Sequence, residues 1–271
     1  MEAALTGLPE FEKIDWRAPW LQDWGASQKN FAGLLWRDAL NEKAGELGLI
    51  NASGLPLRFV EQQALPDDVA YEAFIAATGG VPTRANLHDF FNALIWLNYP
   101  KIKRGLNALQ ASELERHGVQ SARGQTRDGA TLFDENGALF VSSDAKASDA
   151  LRGHDWQELF IGRCEQYGAS WSVFLFGHAL LEKLTSPFKA ITAHAKVVQV
   201  DPVFFGLSRD EQRVWLDSHI AQDIERGLSS GDFTPLPVLG VPGWASVQDE
   251  AYYLDRSVFR PKRVKANLEQ Q

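Results

Sequence analysis

The run Leu87-His-Asp-Phe-Phe-Asn-Ala-Leu-Ile-Trp-Leu97 constrains the chain more than any other, because almost all of it demands burial while three of its side chains resist it. Pro100 stops a helix beginning near Asn86, so the pattern predicts a helix over 86–97 that is buried on most sides. On it His88 and Asn92 are four residues apart and share a face, with Asp89 about 100° further round. An imidazole, a carboxylate and an amide in such surroundings cost on the order of several kcal/mol unless each finds a partner. Arg127 and Asp128, or Lys101, Lys103 and Asn107 on the next helix, are the candidate partners. Two readings follow. Either His88 and Asp89 cap and staple neighbouring elements, or they belong to a site in which His88, Asp89 and Asp128 carry the chemistry and Arg84, Asn92, Lys101 and Arg127 hold a substrate.

The single cysteine, Cys164, excludes an internal disulfide and zinc-finger spacings; with no activating motif beside it, it reads as buried and inert. No stretch of about 18 apolar residues runs uninterrupted, and Met1 to Lys13 lacks the basic-then-apolar pattern of an export signal. These features read as a cytoplasmic protein with no membrane partner. A net charge of -8 disfavours bulk attraction to nucleic acid. Locally, Lys101, Lys103, Arg104, Arg116, Arg123 and Arg127 outnumber Glu113, Glu115 and Asp128. The tail over 256–271 is basic again and is expected to be mobile. Such islands suit a phosphate or carboxylate, and a small anionic molecule is the expected partner. Oligomeric state is not legible.

Hydrophobic periodicity predicts one α+β domain, mostly helical, with a β-hairpin and a small sheet that includes a βαβ unit. Helices are expected over 31–47, 67–78, 101–116, 149–164, 178–184 and 209–227, the last opened by a Ser208/Glu211 capping box. Strands are expected over 56–62, 170–176 and 191–200, the last two parallel neighbours across the helix at 178 or, since that helix is short, antiparallel. The hairpin is placed at 130–133 and 138–142, with Asp134-Glu135-Asn136-Gly137 as its turn. The segment 235–244 is too rich in proline and glycine for regular structure. Pro19 opens a short helix that sets Trp20 and Trp24 one turn apart, an expected core anchor.

Three further residues suit a metal. His178 and Glu182 share a helical face, and His194 on the following strand can return to the same place, so His88, His178, Glu182 and His194 would suit zinc, iron or manganese with a position left open for water. The opposing reading gives His178 a backbone carbonyl partner at a helix start. Asp128 beside His88 would orient it as a general base. No nucleotide-binding glycine motif and no serine-hydrolase elbow is present.

Taken together, Gly80-Val-Pro-Thr-Arg84, His88-Asp-Phe-Phe-Asn-Ala-Leu-Ile-Trp96, Arg127-Asp128 with Thr131-Leu-Phe-Asp-Glu-Asn-Gly137, Phe176-Gly-His-Ala-Leu180 and Leu236-Pro-Val-Leu-Gly-Val-Pro-Gly-Trp244 resemble a bacterial family known as a domain of unknown function. The resemblance runs from about Trp16 to Pro261. It implies one domain in a bacterial cytosol and implies no activity. The residues themselves lead to an expected metal-assisted or acid-base hydrolase of a small anionic substrate. The alternatives are a ligand- or protein-binding module presenting Trp20, Trp24 and Trp244, and an RNA-associated factor using the basic tail.

Overall fold

Four strands make the sheet on which the site is hung. A computed structural model describes residues 7–27, 35–117 and 125–262. Strand β3 (Gly137–Ser142) is buried at every position and lies antiparallel to β4 (Trp171–Leu175) and parallel to β5 (Thr192–Gln199). Strand β6 (Phe233–Pro237) pairs antiparallel with β5, giving the order β4-β3-β5-β6. The continuous burial of β3 and β4, Ser142 and Ser172 included, means that neither strand needs to alternate apolar with polar residues. Helices dominate the remainder: α1 (Trp36–Glu46), α2 (Tyr71–Thr78), α3 (Leu87–Asn98), α4 (Pro100–His117), α5 (Gln125–Asn136), α6 (Ala145–Gly153), α7 (His178–Lys183), α8 (Arg209–Glu225) and α9 (Glu250–Tyr253). The architecture is therefore α+β and mostly helical, and no described helix is long and apolar enough to cross a membrane.

Several elements stand as their periodicity requires. Helix α3 buries Phe90, Phe91, Leu94, Ile95 and Trp96 and is capped by Asn86, whose side chain accepts the Asp89 N–H at 2.8 Å. Helix α8 opens with the Ser208/Glu211 capping box. Helix α2 ends on Gly79 in the left-handed region, φ 73°. The first residues of the helix expected from Phe31 lie outside the described residues, as do Arg123 and the tail from residue 263 onward.

Five expectations are corrected. The hairpin over 130–142 does not form: its first arm and turn are the end of α5, and only its second arm is a strand. Burial at Gly129, Ala130, Phe133, Asp134 and Gly137 recurs every three or four residues, a helical rhythm, and Asn-Gly can stop a helix as readily as it turns a hairpin. The expected neighbours β4 and β5 are separated by β3, which makes them mutually antiparallel. The parallel pair joined through a helix lies earlier, where β1 (Arg58–Val60) pairs with β2 (Gly80–Pro82) across α2. Residues 233–237 form a strand despite Pro235 and Pro237, because β6 is an edge on which a missing N–H is tolerated. Cys164 is exposed. The helix expected over 149–164 is interrupted after Gly153 by His154 in the left-handed region, φ 56°, and helical structure resumes with the π-helical turn Glu158–Gly162.

The tryptophans of the opening segment pack against aromatic rings from later in the chain. Trp24 is buried against Tyr99, half-buried Trp20 lies against buried Trp244, and the three rings line one cavity together with Arg209 and Arg213.

Candidate metal centre

The sheet delivers two helix ends to one place. Ala138 of β3 pairs with Leu175 of β4, so the residues just before β3 and just after β4 leave the sheet at the same end. The N–H groups of Phe176 and Gly177 both donate to the Gly137 carbonyl, at 3.0 and 2.8 Å, and stitch the two departures together. A Cβ at Gly177 would stand 2.5 Å from the Glu135 carbonyl oxygen and the Gly137 nitrogen, so only glycine allows this approach. Glu135, in the last turn of α5, is thereby set beside His178, the first residue of α7. Helix α3, packed on α7, contributes His88 to the same spot.

The His88 and His178 rings meet edge to face, centroids 4.5 Å apart, with their Nε2 atoms 3.1 Å from each other. The Glu135 Oε2 atom lies 3.5 Å from His178 Nε2. One ligand atom from each of His88, Glu135 and His178 falls within 4.8 Å of the other two. Two donors on a tetrahedral ion at about 2.1 Å stand about 3.4 Å apart, so these separations fit one ion shared by the three side chains.

The outward nitrogens of both rings face carboxylates. His88 Nδ1 is 2.9 Å from Glu182 Oε2. His178 Nδ1 is buried; the Asp134 main chain hydrogen-bonds the imidazole, as the helix-start reading of His178 expects, and the Asp134 Oδ2 atom stands 4.0 Å from Nδ1. Lys103 of α4 donates to the other Asp134 oxygen at 2.6 Å. Burial pushes the His178 pKa down to about 4, against the opposing pull of Asp134, which leaves the ring neutral as a ligand must be. Burial also raises the Glu135 carboxyl, with the Asp134 charge adding to the effect. Burial alone would raise Asp134 too, but the Lys103 ammonium, by charge and by hydrogen bond, opposes it and the carboxyl stands below its usual range.

His88, His178 and Glu182 therefore converge, with Glu182 behind His88 and not beside His178 as helical spacing suggests. Asp89 turns away from the imidazoles: it accepts the Arg84 N–H at 2.6 Å and clamps its guanidinium at 3.1 and 3.0 Å. Asn92 donates to the Tyr71 hydroxyl at 3.0 Å. Lys101 joins α4 to α8 through Ser218. His194, half-buried on β5, is not among the clustered donors, and Asp128 is exposed near the start of α5, about two turns from Glu135. The Arg127 side chain lies outside the described residues. Glu135 and Asp134 were missed because Asp-Glu-Asn-Gly reads as a hairpin turn. Once 125–136 is taken as a helix, two acids in its last turn, where the macrodipole disfavours negative charge, demand a reason.

Comparison with curated proteins and with solved structures finds no match. The family model described as a protein of unknown function, DUF3025, matches residues 57–263, a span that includes every residue of the cluster. The chain belongs to the DUF3025 family.

Proposed function

We propose that the protein is a metal-dependent hydrolase of a small anionic substrate, holding one divalent ion of zinc, iron or manganese on His88, His178 and Glu135. The observation that carries this reading is the convergence of three donor atoms within 4.8 Å from three separate elements. A carboxylate behind each imidazole, the arrangement that orients metal-binding histidines, adds to it. Three protein ligands leave coordination positions for water and substrate, and an ion there supplies Lewis acidity and a water of lowered pKa. The cluster is reachable, since the His88 side chain is 30% exposed.

The chain's own residues divide the remaining tasks. Glu182 accepts from His88 Nδ1 and so keeps the His88 Nε2 lone pair directed at the ion. Arg84, fixed at the start of α3 by its two-pronged pairing with Asp89, keeps its side chain 58% exposed and presents a preorganised cation to a phosphate or carboxylate.

Protein purified without added metal and analysed for bound elements is expected to carry close to one ion per chain. His178→Ala and Glu135→Gln should lose it, while His194→Ala and Asp128→Ala should keep it. Hydrolysis of a panel of phosphate and carboxylate esters should vanish on chelation and return with the ion. Protein free of metal under these conditions, or metal that persists in both His88→Ala and His178→Ala, would overturn the reading.

A further inference from the structure

We infer that the cavity framed by Trp20, Trp24 and Trp244 is a binding site for a small aromatic acid, a flat ring carrying a carboxylate, with Arg209 and Arg213 holding its charge. The inference is independent of the metal-centre reading, because none of the residues lining this cavity belongs to the cluster of His88, Glu135 and His178.

The cavity measures about 380 Å³, within the range of roughly 300–1,000 Å³ for small-molecule pockets. Its lining is drawn from the opening segment, the α3–α4 junction, α8 and the segment after β6, so no local motif announces it. Trp20 lies tilted against Trp244 with ring centroids 6.2 Å apart, and Trp24 lies against Tyr99 at the same separation. Trp24, Tyr99 and Trp244 are buried, so the fold itself holds these walls in place before any ligand arrives. Close packing does not leave a void of this size among four large rings that could fill it. Rings so placed accept a flat guest by offset stacking or edge-to-face contact.

Charge selects the other end of the guest. Among the described residues that line the cavity, Arg209 and Arg213 are the only charged side chains. They stand four apart on α8 and so share a face. Arg209 is locked: its terminal nitrogens donate to Ser172 Oγ and to the Val173 carbonyl, each at 3.0 Å, and its guanidinium carbon lies 3.4 Å from the centre of the Phe174 ring. Arg213, whose side chain is 19% exposed, donates at 2.6 Å to the solvent-exposed Asp210. A guanidinium carries five N–H donors in a rigid fork, so it can keep a protein partner and still grip a carboxylate. The same contacts disfavour a peptide adding to β4, an edge of the sheet. The Val173 carbonyl is taken by Arg209 and the Trp171 carbonyl by the Gly168 N–H at 2.8 Å, so an incoming strand would find its ladder interrupted. A compact guest meets no such obstacle.

The test is calorimetric titration of the whole chain with naphthoate, naphthylmethanol and naphthylmethylammonium, which share a ring system and differ in charge. Naphthoate should bind at a single site, the alcohol at least about tenfold more weakly, as the loss of a charge-assisted hydrogen bond implies, and the ammonium not at all. Arg213→Met should weaken naphthoate by about tenfold and leave the alcohol unchanged, whereas Trp20→Leu should weaken both. Metal content should be the same in both variants as in wild type, which separates this site from the histidine cluster. Naphthoate bound at wild-type strength by both variants would put the ligand elsewhere and overturn the inference. Equal affinity for the acid and the alcohol would mean that the guanidiniums are engaged within the chain, and would overturn it too, as would folded wild type that binds no naphthoate at millimolar concentration. Should either variant fail to fold, the wild-type ranking of the three probes decides, together with the indole N–H shifts of Trp20 and Trp24 in NMR: naphthoate that moves neither resonance refutes the site.

Discussion

Neighbouring residues of α3 have parted company: His88 points to α7, while Asp89, one residue on, faces back over the helix start to Arg84. Asp89 is 6% exposed and accepts three bonds from Arg84, one from its main chain, so its removal strands donors in a buried place. Asp89→Ala should lower unfolding free energy by about 2–3 kcal/mol in urea titrations, the range for charged hydrogen bonds. Arg84→Ala, at an exposed side chain, should cost less than about 1 kcal/mol yet weaken binding of inorganic phosphate to the metal-loaded protein. Equal stability losses would count against that division of labour. The two glutamates divide similarly. Glu135→Gln removes a ligand and should empty the site, whereas Glu182→Gln removes an orienting group and should weaken metal binding by about tenfold. None of this was readable from α3 alone. The sequence shows that His88 must find a partner but not which, since Glu135 and Glu182 are 47 and 94 residues away.

Elements meet here through glycine and through shared caps. The close approach at Gly177 predicts that Gly177→Ala pushes the end of α5 away from α7, costing about 1–3 kcal/mol of stability and lowering metal occupancy together. Gly153→Ala, where a Cβ meets nothing within 4 Å, is the matched control and should change neither. Asp217 of α8 accepts the N–H groups of Lys101 and Ile102 at 3.1 and 2.9 Å, capping α4 from another helix. Asp217→Ala should cost about 1–2 kcal/mol by denaturant titration without altering metal content. That cap also explains why Lys101, read as an anion-binding residue, is drawn to the α4–α8 junction. Helices α2, α3, α4 and α8 were legible because apolar spacing agrees in each with a local start or stop signal: Gly79 ending α2, Pro100 between α3 and α4, and the Ser208/Glu211 capping box opening α8. Helix α5 was not, because Asn136-Gly137 carries a local turn signal that is outweighed by burial of Phe133 and Asp134 against partners distant in sequence.

At the scale of the molecule, an ion at His88, Glu135 and His178 would tie α3 to the α5–β3 and β4–α7 junctions. Binding that favours the native chain raises its apparent stability by mass action. Chelation should therefore lower the melting temperature of wild type and leave that of His178→Ala unmoved, a comparison that calorimetry makes directly. Sequence alone established the α+β class, the buried helix with its discordant polar residues, the pairing of His88 with His178 as candidates, and the family resemblance, because periodicity, proline stops and residue chemistry are local. The order of strands, the helical state of 125–136, and the choice of Glu135 over His194 beside the two imidazoles were decided by tertiary structure. Those depend on which distant surfaces bury one another, and a carboxylate becomes a ligand only when the fold carries it to within a few ångströms of the ring it serves.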